Sequence, residues 1–77
     1  MNKQRRKNIQ GILDKLEELK GSLEEVQAEE EEYRDNIPEN LQGSERYETA
    51  DEACDTLSGA VDSLDDIICE LGNLIEG

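Results

Sequence analysis

Tyr47, Ala50, Cys54, Leu57, Val61, Leu64, Ile68, Leu71 and Ile75 recur at alternating spacings of four and three, so every a and d slot of four consecutive heptads is filled by a non-charged, mostly aliphatic residue. A segment patterned in this way is committed to a long amphipathic helix with a partner along its length. Its g positions, Ala53, Ala60, Ile67 and Leu74, are apolar as well, which widens the stripe to three positions in seven. A face that wide touches more than one neighbour.

The first half carries a thinner stripe. Ile9, Ile12, Leu16, Leu19, Leu23, Val26, Glu30, Tyr33 and Ile37 follow the same spacing with one polar interruption at Glu30, and Leu13 adds a single extra apolar position. Most residues between them are Glu, Lys, Gln or Asp, which predicts a helix with one narrow buried face and a solvated remainder. Gly11 and Gly21 fall off the stripe, where each lowers helix propensity by about 1 kcal/mol without leaving a packing hole.

Between the halves lies Asn36-Ile37-Pro38-Glu39-Asn40-Leu41-Gln42-Gly43-Ser44. Pro38 disfavours helical geometry at Ile37, and Gly43 followed by Ser44 makes a breaker and then an N-cap, with Glu45 and Glu48 placed to favour the helix dipole. The helices are therefore expected at about 3–35 and 45–76, with a turn at 36–44 that includes one helical turn at Pro38–Leu41 and is plugged by Ile37 and Leu41. Matched lengths imply an all-α, antiparallel, coiled-coil-like two-helix hairpin forming one domain over 1–77. A narrow stripe paired with a wide one implies that a second copy covers the excess, giving a homo-oligomer, with a dimeric four-helix bundle favoured. A chain of 77 residues buries too little surface alone to make self-association dispensable.

The net charge is −13, and four of the eight bases, Lys3, Arg5, Arg6 and Lys7, lie in the first seven residues. The remainder sets four bases against all 21 acids. Such a body repels phosphate backbones and anionic membranes and steers basic proteins towards itself, so direct nucleic-acid binding by the body is not expected. The basic start, lacking interleaved aromatics, reads as a helix end that frays against its own dipole, or that pairs with Glu70 and Glu76 across the hairpin. Asn8 to Leu19 is too polar for the apolar core of a signal peptide, and no apolar run is long enough for a membrane span.

The chain has no histidine, which removes the commonest general base and the commonest metal ligand. Cys54 and Cys69 are fifteen residues apart on one helix, roughly 22 Å by rise alone, too far to bridge. They read as free thiols of a reducing cytoplasm, Cys54 in the core and Cys69 at the edge of the stripe, with no base beside either to make a nucleophile. Neither a catalytic site, a metal site nor a cofactor site is expected.

One surface stands out. From Tyr47 to Gly77 there are nine acids and no Lys or Arg. Glu48, Asp51, Glu52, Asp55, Asp62, Asp65 and Asp66 form a candidate partner-binding face, either a solvated surface or a rigid row of carboxylates that imitates a nucleic-acid backbone. Their spacing suits a cation poorly, since the looped carbonyl ligands of a calcium site are missing.

The tract from Tyr33 through the Asn36–Ser44 turn to Glu48, followed by Ala50-Asp51-Glu52-Ala53 and an aliphatic ladder, resembles small acidic hairpin proteins of unknown function from Gram-positive bacteria, their mobile elements and phages. The resemblance implies a cytoplasmic accessory protein. It transfers no site residues. Small acidic phage proteins include inhibitors of host defence nucleases, which is the functional class the acidic face would suit. The expected function is a non-enzymatic interaction module or structural accessory, with the nucleic-acid mimic as the alternative.

Overall fold

A computed structural model describes residues 1–77. Two helices, α1 (Lys3–Asp35) and α2 (Glu45–Glu76), lie antiparallel, joined by a turn that contains one 3₁₀ turn at Glu39–Leu41. The chain is an all-α hairpin, a rod of 59 × 15 × 13 Å.

The helix ends sit where local chemistry puts them. Ser44 accepts a hydrogen bond from the Tyr47 N–H at 3.3 Å, and Glu45 and Glu48 lie in the first turn of α2. At the other end of the turn, the N–H groups of Asn36 and Ile37 close on the carbonyls of Glu32 and Arg34, at 3.0 and 3.1 Å. Pro38 then takes an extended ψ of 145°, which ends α1. Ile37 is buried and plugs the turn end of the hairpin. Leu41, expected beside it, is exposed instead. In a 3₁₀ turn side chains three apart eclipse, so Leu41 is set above Pro38 rather than over the seam.

The helix begins at Lys3, within the basic start: Asn2 accepts from the Arg5 N–H at 2.8 Å, which satisfies one orphan donor of the first turn. The expected pairing with Glu70 or Glu76 is not made. All four ion pairs of the chain involve Lys20 or Arg34, leaving Lys3, Arg5, Arg6 and Lys7 without acidic partners.

The narrow face assigned to α1 is where the structure departs most from the heptad reading. Leu13 is only 4% exposed, whereas Ile12 is 51% and Leu19 60% exposed, and Val26 and Tyr33 also face outward. Against α2 run Ile9, Leu13, Leu16, Lys20, Leu23, Gln27, Glu30 and Arg34, all buried or half-buried. Helix α1 is therefore turned by roughly 50°, half of one residue's step, from the setting that a strict a/d seam would give. Lys20 and Arg34 explain the setting: their stems lie over the seam while their charged ends reach Asp65 and Asp51, each at 3.1 Å.

Only Leu13, Ile37, Ala50 and Cys54 are buried. A two-helix hairpin has a single interface, so most of its apolar side chains are left half-covered at best.

Candidate functional site

Three cross-helix contacts identify the sides of the rod. The Arg46 Nε donates to the Tyr33 hydroxyl at 2.6 Å, and its guanidinium lies 5.2 Å from the centre of that ring. On the opposite side are the Arg34–Asp51 and Lys20–Asp65 pairs, two heptads apart on both helices, which shows that the rows keep their facing along the rod.

Rows seven residues apart extend from these contacts. On the Tyr33 side, Ile12, Leu19, Val26 and Tyr33 of α1 run beside Arg46, Ala53, Ala60, Ile67 and Leu74 of α2. The Tyr33–Arg46 contact and the two ion pairs bracket the register, so that Val26 lies level with the stretch between Ala53 and Gly59, Leu19 between Ala60 and Asp66, and Ile12 between Ile67 and Asn73. The result is one continuous apolar strip. Ala53 and Ala60 are half-buried, whereas Ile67 and Leu74 are exposed. The rows that border the strip are Asn8, Lys15, Ser22 and Glu29 on α1 and Thr49, Thr56, Ser63 and Glu70 on α2. Glu29 and Glu70 are the only two of the 21 acids on the strip or its borders, where Lys15 and Arg46 also lie. A chain with a net charge of −13 has cleared its carboxylates from one side.

The sequence-derived seam thus divides. Ala50 and Cys54 are buried between the helices; Tyr47, Leu57, Val61, Leu64, Ile68, Leu71 and Ile75 are half-buried beside them. Ala53, Ala60, Ile67 and Leu74 belong to the strip. The α1 half of the strip was hidden in the sequence because its residues also complete a plausible hairpin seam. The signal that separates them is the near-absence of acids in the bordering rows.

The acidic face lies on the other side. Asp51 and Asp65 are engaged, holding Arg34 and Lys20 across the hairpin. Asp65 raises the Lys20 pKa through its hydrogen bond and charge; Asp35, and less strongly Asp51, raise that of Arg34. Glu48, Glu52, Asp55, Asp62 and Asp66 are exposed and make no ion pair. No cluster of Cys, Asp and Glu is arranged to hold a metal ion, and the rod has no pocket.

Both thiols are free; Cys54 is buried and Cys69 exposed. Burial pushes the Cys54 pKa up, opposed by the nearby Arg34 guanidinium. A raised thiol pKa favours the neutral form in the folded state, so its contribution to stability is complete below the ordinary thiol range and is lost as pH rises through the folded value. We expect a maleimide at neutral pH to modify Cys69 within minutes and Cys54 at least ~100-fold more slowly, because only unfolding exposes it. Equal rates, followed by mass spectrometry, would show that the turn-proximal end of the seam is open.

No helix is long and apolar enough to cross a membrane. Comparison of the chain with protein-family models, with curated proteins and with solved structures finds no match.

Proposed function

We propose that this chain is a non-enzymatic, self-associating interaction module or structural accessory, which works by presenting helical faces and not by chemistry. The observation that carries the reading is the continuous apolar strip along one side of the rod, with six large side chains exposed on it, Ile12, Leu19, Val26, Tyr33, Ile67 and Leu74. Exposed strips of this kind mark association surfaces. The free thiols and the resemblance of the turn tract support a cytoplasmic accessory protein of a bacterium, mobile element or phage. Light scattering at low micromolar concentration should return at least twice the chain mass of 8.7 kDa. A fully helical species of monomer mass would sink the reading.

A second reading is favoured by the five unpaired carboxylates Glu48, Glu52, Asp55, Asp62 and Asp66 on the side away from the strip. They remain accessible whatever covers the strip. On a rigid helix they would occupy the cationic groove of a defence nuclease or DNA-binding protein in place of nucleic acid. Inhibition of such a protein by this route must fade steeply between low salt and ~0.5 M, where charge interactions are screened within a few ångströms. Salt-independent binding would exclude mimicry.

A further inference from the structure

We propose that the strip is covered by a second copy of this chain, the two hairpins lying face to face about a two-fold axis that crosses near Ser22, with the turn of each level with the basic start of the other. The proposal rests on the self-association reading and specifies its surface and orientation.

Area and charge together select the occupant. A face of a rod 59 Å long and 15 Å wide offers on the order of 800 Å², the area each partner buries in a standard interface. Two chains of net charge −13 repel one another over most of their surfaces, and the strip is the side from which the acids are missing.

The orientation follows from positions along α1. Lys15 and Glu29 border the strip seven residues either side of Ser22. An antiparallel pairing centred there sets Lys15 against the partner's Glu29, and Glu29 against the partner's Lys15. The same centre, within one residue's rise, sets Ile12 against the partner's Tyr33 and Leu19 against the partner's Val26. On α2 the same centre falls level with residues 57–63, around Ala60, whose small side chain allows close approach.

The ends of the rod agree. Lys3, Arg5, Arg6 and Lys7 have no acidic partner within the hairpin. The turn end, residues 29–48, carries eight acids against Arg34 and Arg46. Antiparallel pairing lays each basic start beside a partner's acidic turn, whereas pairing with both turns at one end stacks like charges at both ends.

Nitroxide spin labels on the bordering row test this with every side chain of the strip itself unchanged. Ser22→Cys and Asn8→Cys are each made with Cys69→Ser, and the Cys69→Ser parent, whose remaining thiol is buried, serves as the unlabelled control. At dimer mass, labels at position 22 should lie within roughly 20 Å of each other, and labels at position 8 about 42 Å apart, the rise over 28 residues. Labels at position 8 about as close together as those at 22 would mean that both turns share one end, and would overturn the proposal. Labels at 22 separated by well over ~25 Å, more than two helix diameters, would place pairing on another face and overturn it as well. Either result leaves self-association standing. A monomeric mass removes both.

Discussion

Replacing Leu13 with aspartate is expected to unfold the hairpin. Leu13 is the one residue of α1 itself that is buried, so the change removes an apolar contact and sets a carboxylate where it has little water and no partner. Loss of a buried leucine side chain costs about 2–5 kcal/mol, and an unpaired buried charge adds to that. A chain of this length holds roughly 4–11 kcal/mol in all. The melting midpoint, followed by circular dichroism, should fall by roughly 20 °C or more. Ala28→Asp, on an exposed position of the same helix, adds like charge three and four residues from Glu24, Glu25, Glu31 and Glu32 and should lower it by only roughly 5–10 °C. If Leu13→Asp melts like Ala28→Asp, α1 does not present Leu13 to α2, and the strict a/d setting with Ile12 and Leu19 in the seam is the correct one.

That test separates what spacing reveals from what it leaves open. Two helices, their antiparallel arrangement and their ends were legible because each rests on local signals: uninterrupted heptads in α2, Pro38 after Ile37, Gly43 before Ser44. The rotation of α1 was not. Ile9, Leu16 and Leu23 belong equally to a stripe completed by Ile12, Leu19 and Val26 and to one completed by Leu13, Lys20 and Gln27. Apolar content favours the first stripe, yet the hairpin uses the second. The deciding contacts join Arg34 to Asp51 and Lys20 to Asp65, 17 and 45 residues apart, and a local pattern carries no information about such pairs. A basic side chain on a seam edge with an acid across from it is therefore evidence about rotation, even where it interrupts an apolar stripe.

The same distinction divides the acids of α2 into two groups with opposite expected effects. Glu52, Asp55, Asp62 and Asp66 are exposed and unpaired, and each has like-charged neighbours three or four residues away: Glu48 and Asp55 beside Glu52, Asp51 beside Asp55, Asp65 and Asp66 beside Asp62, Glu70 beside Asp66. Like charges at those spacings destabilise a helix by about 0.2–0.5 kcal/mol per pair. Glu48 stays, because it lies in the first turn and favours the dipole. The combined variant Glu52→Gln, Asp55→Asn, Asp62→Asn, Asp66→Asn is expected to melt roughly 5–15 °C higher at low salt, with the gain shrinking towards ~1 M salt as screening takes over. Asp51→Asn with Asp65→Asn also removes like charge but breaks both cross-helix ion pairs, so it should gain nothing or lose a few degrees. Carboxylates that lower stability and hold nothing within the fold are the ones available to a basic partner, so a rise confined to the first variant would support the exposed face as a recognition surface in reserve. A fall in its melting midpoint would mean that those four acids already hold a structural partner, and the carboxylates open to mimicry would shrink to Glu48 and its neighbours at the turn.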